Sequence, residues 1–259
     1  MKRYRITAFF LALLLSLSAC AGGPVPDLSA SFSGGDASQP EDPPQKALPF
    51  TLAVYPEYSL HPALAGNRAN LTLAPLLYES LFTVDASFQA RPVLCQGWSA
   101  SEDKLVWTFT LHAGITFSDG TPLTGQEAAD ALNLARSSGS RYRERLSDIT
   151  AVTASQEAPY QLTINLRRPN GSLPLLLDVP IALGADDCPA GTGPYVPAED
   201  GLSLTARSGW WQKNKTLPLQ SIPLRAVTRS DELIYDFDSG DISLVDVDLM
   251  DTNAMGYGG

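Results

Sequence analysis

Few residues in this chain are equipped for bond chemistry. Among 259 residues there are three Cys (Cys20, Cys95, Cys188) and two His (His61, His112). A structural zinc site needs several such ligands at close spacing, and these are too few and too scattered. His61 and His112 lie far apart with no Cys or carboxylate at metal-ligand spacing. Each reads as a surface or loop histidine, and neither a metal nor a cofactor is expected. Ser and Asp are plentiful, but there is no Gly-x-Ser-x-Gly, no His-Glu-x-x-His and no Walker loop. Without a histidine placed as a base, a Ser–His–Asp hydrolase is not expected, nor is any other enzyme. The net charge is −10, and from residue 20 onward 15 bases face 28 acids. Such a surface repels phosphate backbones, so no nucleic-acid partner is expected.

Cys20 stands apart because of what precedes it. Lys2, Arg3 and Arg5 make a basic start, and Ile6 to Leu17 is almost wholly apolar. That run is shorter than the roughly 20 residues a spanning helix needs, and it has the layout of an export signal. Leu17-Ser18-Ala19-Cys20 resembles the bacterial lipobox. The resemblance implies a lipoprotein signal peptide over 1–19, cleavage before Cys20, and a diacylglycerol thioether on its sulfur. Each buried acyl CH₂ contributes about 0.8 kcal/mol, enough for several chains to hold the protein on a bilayer. After Cys20, Ala21–Lys46 is rich in Gly, Pro and Ser, and its large apolar residues are only Val25, Leu28 and Phe32. It cannot bury enough surface to offset chain entropy, so 20–46 is expected to be a disordered tether. A coil of that length spans on the order of 25–30 Å. A lipid-anchored protein working at the extracytoplasmic face of the cell membrane is the expected layout.

The rest reads as mixed α and β. Phe50–Tyr55 opens as a strand between prolines. Leu73, Leu76, Leu77 and Leu81 have helical spacing over 71–82, with Pro75 tolerable only in a first turn. Leu105, Trp107, Phe109 and Leu111 alternate with other residues, as do Tyr160, Leu162, Ile164 and Leu166; both patterns predict half-buried strands. Between them Thr124-Gly125-Gln126-Glu127 fits a capping box, Ala128, Ala131, Leu132 and Ala135 form one apolar stripe, and Gly139 is placed to stop the helix. Further strands are expected over 202–206 and 222–227. A last helix is expected to be capped by Ser230, ended by Gly240, and to turn Leu233, Ile234 and Phe237 inward. Asp119-Gly120 before Pro122 is turn chemistry, and Gly191-Thr192-Gly193-Pro194-Tyr195 lets two segments pass closely before a strand. The four Trp are expected mainly in the core.

Several blocks, in order, resemble the extracytoplasmic solute-binding proteins of the peptide/nickel transporter family, family 5. They are Leu77-Tyr78-Glu79-Ser80-Leu81-Phe82, then 91–98, the acidic turn and strand 101–109, Phe117-Ser118-Asp119-Gly120-Thr121-Pro122-Leu123-Thr124, Gly191–Tyr195, Trp210-Trp211 and Ser239-Gly240-Asp241-Ile242. Ser118 stands where the family usually has His.

The resemblance implies an α/β fold, mixed sheets with flanking helices, forming the first lobe of a two-lobed, type II-like periplasmic binding protein. It places the lobe over 47–248 and the start of a crossover to a second lobe over 249–259, because family members are much longer than this chain. A fragment, a truncated gene product or one piece of a split protein all fit that difference. The implied function is the substrate-binding component of an ABC importer, taking oligopeptides or dipeptides to a permease. A nickel chelate, haem or an oligosaccharide is the alternative cargo, and a degenerate surface sensor or adhesin the alternative role. By family position the ligand wall would include Tyr55, Pro56, Asn67, Asn70 and Thr72. The family layout also brings the segments around Cys95 and Cys188 together, which implies either a Cys95–Cys188 disulfide or two free buried thiols.

Overall fold

The computed structural model describes residues 49–246. The expected leader, Cys20, the tether and the crossover lie outside the described residues. In chain order the elements are β1 (Leu52–Val54), α1 (Arg68–Leu77), β2 (Phe82–Val84), β3 (Ala90–Pro92), β4 (Cys95–Ala100), β5 (Val106–Leu111), α2 (Gly125–Ala135), β6 (Ile149–Ala154) and β7 (Gln161–Leu166). A 3₁₀ turn (Leu173–Leu176) comes next, then β8 (Ala182–Leu183), β9 (Ala190–Gly191), β10 (Tyr195–Pro197), β11 (Ser203–Ala206), β12 (Ser221–Ala226) and α3 (Ser230–Asp238). No helix among the described residues is long and apolar enough to cross a membrane.

Two four-stranded sheets carry the fold. The first has the order β1-β12-β11-β10, with β1 parallel to β12 and the other pairs antiparallel. Its core joins Leu52 and Val54 to Leu73 and Leu77 of α1 and to Leu204 and Ile222. The second has the order β4-β5-β7-β6, antiparallel throughout. Here the alternation read from sequence holds: Trp107, Phe109 and Leu111 are buried on β5, and Leu162, Ile164 and Leu166 on β7. The stripe of α2 packs on that face. Thr124 caps α2, and the Glu127 carboxylate accepts from the Thr124 backbone N–H, completing the predicted box.

Several boundaries differ from the sequence reading. α1 starts at Arg68 because Asn67 Oδ1 accepts from the Asn70 N–H (3.1 Å). It ends at Leu77, so Leu81 lies beyond the helix and Phe82 opens β2. Pro75 sits in its last turn rather than its first; the helix stops within two residues, which limits the loss of the proline N–H to that turn. α2 ends at Ala135, well before Gly139. Arg229, not Ser230, occupies the N-cap of α3, while Gly240 (φ +83°) does close it. The buried residue of α3 is Asp236, held by Arg225 Nε at 2.8 Å, whereas Phe237 is 46% exposed. Trp107 and Trp210 are core residues, but Trp98 is 44% exposed.

The Gly191–Gly193 backbone passes closely against the end of α1 and the stretch after β5. The Gly193 N–H donates to the Leu77 carbonyl (2.9 Å), and the Ser118 N–H to the Gly191 carbonyl (2.9 Å). A Cβ at Gly191 would lie 2.1 Å from the Leu77 oxygen, and one at Gly193 2.4 Å from the Leu77 carbonyl carbon. The Arg207 guanidinium spans the seam: Nη1 donates to the Gly191 and Gly193 carbonyls, Nη2 to those of Thr116 and Phe117 (2.9–3.3 Å). The Asp119–Gly120 turn forms as expected, with Gly120 at φ +90° and Asp119 Oδ1 accepting from the Thr121 N–H.

Because the obstructing atoms at Gly193 are backbone, overpacking there is expected to cost about 2–3 kcal/mol. We predict that Gly193→Ala lowers stability by that amount in urea denaturation. Gly66→Ala, where an added Cβ meets nothing within 4 Å, is expected to stay within about 0.5 kcal/mol of wild type. Equal stability of the two variants would contradict the close-passage argument.

Candidate functional site

The residues after β1 and those opening α1 form one wall of a cavity of about 250 Å³. Tyr55, Asn67 and Thr72 stand on that wall. Leu233, Ile234 and Phe237 of α3 stand opposite, and Leu244 and Val245 add to the apolar lining. Arg68 and Asp246 approach to 3.6 Å at the cavity, with Asp238 also lining it. The face of α3 expected to pack inward is therefore the apolar wall of this cavity, which explains the exposure of Phe237.

The five expected wall residues separate by role. Tyr55 is buried at 7% exposure, with its ring edge-on to Tyr58. Burial raises its hydroxyl pKa from the ordinary value, against the lowering effect of Ser230. Thr72 lines the cavity while its hydroxyl donates to the Ala69 carbonyl. Asn67 lines it too, but its side chain caps α1. Pro56 is exposed and does not line the cavity.

Asn70 is 1% exposed and its side chain is spent on the backbone. Its Oδ1 accepts from the Tyr55 N–H (2.8 Å), and its Nδ2 donates to the carbonyls of Tyr55 (3.0 Å) and Tyr58 (2.9 Å). It fixes the β1–α1 loop and so holds Tyr55 at the cavity.

The other expectations meet mixed outcomes. Cys95 and Cys188 are free thiols, the first buried and the second exposed, so the disulfide is absent from the structure. Cys95 Sγ lies 3.3 Å from the Gly97 carbonyl, and burial lifts its pKa to about 11. His61 is not a surface residue: it is 2% exposed. Its Nδ1 accepts from the N–H groups of Ala63 and Leu64, which leaves Nε2 to donate to the Gly184 carbonyl (3.2 Å). His112 stacks near Trp211, with ring centroids 5.3 Å apart.

Sequence reasoning assigned no role to Glu79 or Arg207. Glu79 accepts from Trp211 Nε1 and Gln212 Nε2, both at 2.7 Å, and its burial raises its pKa against those bonds. Glu79 falls within a block that carries the family resemblance, and Trp210-Trp211 is another; the contact between them is visible only in three dimensions. The junction and the cavity hold no nucleophile–base pair. A small apolar cavity with a few fixed polar groups suits reversible holding of a solute.

Comparison with known proteins agrees with this fold. The family described as bacterial extracellular solute-binding proteins, family 5, middle, matches residues 89–255. The chain belongs to the bacterial extracellular solute-binding proteins of family 5. The glutathione-binding protein GsiB of Salmonella paratyphi A is 30% identical over 189 residues, covering 66% of this chain and 36% of that protein. A protein described as a probable peptide ABC transporter periplasmic-binding protein, from Sinorhizobium fredii, is 35% identical over 106 residues, covering 41% of this chain and 20% of that one. Among solved structures, NikA from Brucella suis in complex with Fe(III)-EDTA superposes with a TM-score of 0.61 at 23% identity, covering 76% of this chain and 43% of that one. The matched part of the chain thus spans less than half the length of each of these relatives.

The buried polar groups lead to two predictions. Asn70→Ala would strand the Tyr55 N–H and two carbonyls, and we expect a loss of about 3 kcal/mol by urea denaturation. Burial lowers the pKa of His61 below its ordinary 6.5. The unfolded chain then binds more protons than the folded one below about pH 6.5. The stability contributed by neutral His61 is therefore present above that pH and is lost as pH falls through the folded pKa. Denaturation series from pH 7.5 to 5 are expected to show that decline, and to lose the corresponding slope in His61→Ala.

Proposed function

We propose that this protein is the lipid-anchored substrate-binding component of an ABC importer, capturing peptides or another small solute for a membrane permease. The observation that carries the reading is the cavity at the start of α1, in a chain of this solute-binding family. Tyr55 and Thr72 face it, and Asn70 holds the Tyr55 backbone in place from behind. In this reading the lobe is one half of a clamp. A second lobe closes over the solute, the closure buries it, and the closed form is what a permease recognises. Apolar contact with Leu233, Ile234 and Phe237 supplies affinity, and the rim around Arg68, Asp238 and Asp246 orients the solute. The names of the relatives favour peptides, including glutathione. A metal chelate is the second reading, favoured by the structural likeness to NikA bound to Fe(III)-EDTA.

Membrane attachment belongs to the same proposal. Residues 1–19 direct export, Cys20 carries the acyl chains, and 20–46 spaces the lobe from the bilayer. This is supported by the Cys at the end of a basic and then apolar leader.

The test is a thermal-shift screen of the full chain against di- and tripeptides, glutathione and nickel–histidine. A ligand that binds only the folded state at about a hundred times its Kd stabilises by about 2.7 kcal/mol, a Tm rise of roughly 5–10 °C. Thr72→Trp, which fills the cavity, is expected to remove that rise while circular dichroism stays native. No shift with any ligand, or an undiminished shift in the variant, would refute this site. Mass spectrometry of membrane fractions tests the anchor separately: the acyl mass on Cys20 is expected in wild type and absent from Cys20→Ser.

A further inference from the structure

The described residues carry 14 bases and 22 acids, yet the bases are not evenly spread. Arg141, Arg143 and Arg145 come after α2 within five positions, and Arg167 and Arg168 come directly after β7. The two groups share a neighbourhood: the Arg167 N–H donates to the Asp148 carbonyl (2.8 Å), Arg168 forks onto the Asp148 carboxylate, and Asp148 ends the turn stretch 141–148 that carries the three other arginines. Three carboxylates stand among these five arginines. Asp148 is taken by Arg168 and Asp178 by Arg145, while Glu144 meets Arg143 only at 3.9 Å and is 89% exposed. No ion pair to Arg141 or Arg167 is found among the described residues. Two positive charges are left in excess on a protein that is elsewhere strongly acidic.

The patch has a second component. Two guanidiniums lie over the Tyr142 ring, Arg141 at 5.5 Å and Arg145 at 5.1 Å from its centre. Tyr142 is only partly buried, as are Leu175 and Leu176 of the adjacent 3₁₀ turn; Arg145 Nη2 donates to the Leu176 carbonyl (3.0 Å). Planar guanidiniums match phosphate geometry, and an amphipathic aromatic among them suits the headgroup level of a bilayer.

We propose that this arginine–tyrosine face is a docking surface for the anionic phosphate headgroups of a bilayer, and that it sets which side of the lobe faces the membrane. The assignment to a bilayer rather than to an acidic protein rests on the tethered layout proposed above. A tether spanning on the order of 25–30 Å keeps lipid within reach at all times. Two excess charges would be a weak handle for a freely diffusing acidic protein. For a tethered one they suffice, because the tether has already supplied the encounter and the rest of the surface is repelled. Weak attachment also leaves the lobe able to lift away.

The test separates this face from the anchor. Full chains carrying Cys20→Ser, and therefore not acylated, are compared with and without Arg141→Glu and Arg143→Glu by co-sedimentation with vesicles. Neither of those two arginines donates to a backbone carbonyl through its side chain among the described residues, and near-identical thermal melts check that the fold survives. Vesicles of phosphatidylcholine alone set the baseline for the leader, which both proteins share. With 30% phosphatidylglycerol, on the order of tenfold weaker binding is expected for the charge-reversed chain. The difference is expected to vanish as NaCl is raised from 50 to 500 mM. Equal binding of both proteins to anionic vesicles would overturn the proposal. So would a salt-sensitive difference confined to poly-glutamate, which would assign the face to an acidic protein instead. Acylation of Cys20 is scored independently, so loss of the anchor reading and loss of this one are distinguishable.

Discussion

The rest of the structure depends on how closely the Gly191–Gly193 backbone lies against the last turn of α1. No side chain fits between them, because a Cβ on either glycine would meet the Leu77 carbonyl group inside van der Waals contact. The seam is then locked from the other side by Arg207. Its guanidinium, part-buried, satisfies four carbonyls, two from this turn and two from the Thr116–Phe117 stretch. Burial pushes Arg207 down from its ordinary pKa, while the Glu79 and Asp119 carboxylates push the other way. With the end of α1 fixed against the Gly191–Gly193 turn, the start of the same helix, and with it the cavity wall, is fixed as well.

The family resemblance bears on the same passage. Four of the blocks that carry the family resemblance meet at the seam: Leu77–Phe82 reaches Trp211 and Gln212 through Glu79, and the Ser118 N–H of the Asp119–Gly120 turn donates to the Gly191 carbonyl. They hold the lobe together. The cavity is lined by the β1–α1 region, α3 and Leu244–Asp246; of the blocks, Ser239–Ile242 comes nearest to it, with Ile242 packed in one cluster with Tyr55. Much of the family resemblance is thus written in residues that hold the fold together.

The charges are divided in a comparable way. Acidic residues gather on and around α3, where Asp231, Glu232, Asp238, Asp241 and Asp246 lie close in sequence, and Asp236 is sequestered with Arg225. Arginines gather after α2 and β7. An acidic protein with one basic face has a preferred orientation in any external field, a property that net charge alone conceals.

What the sequence determined by itself was whatever acts within a few residues. The alternation of β5 and β7, the Thr124–Glu127 capping box and the Asp119–Gly120 turn are local, and each forms as its residue types dictate. Local signals failed where a partner lay far along the chain. Asn70, placed on the ligand wall by family position, spends its side chain on the backbone of Tyr55 and Tyr58; His61 does lie in a loop but is buried, against the Gly184 carbonyl 123 positions away. Leu233, Ile234 and Phe237 do form one stripe, yet only the tertiary structure decided that the stripe lines a cavity, with Leu233 also packed against the Tyr55–Ile242 cluster. The free thiols of Cys95 and Cys188 make the same point: side-chain separation is set by how the two sheets join at the seam, and no spacing in the chain encodes it.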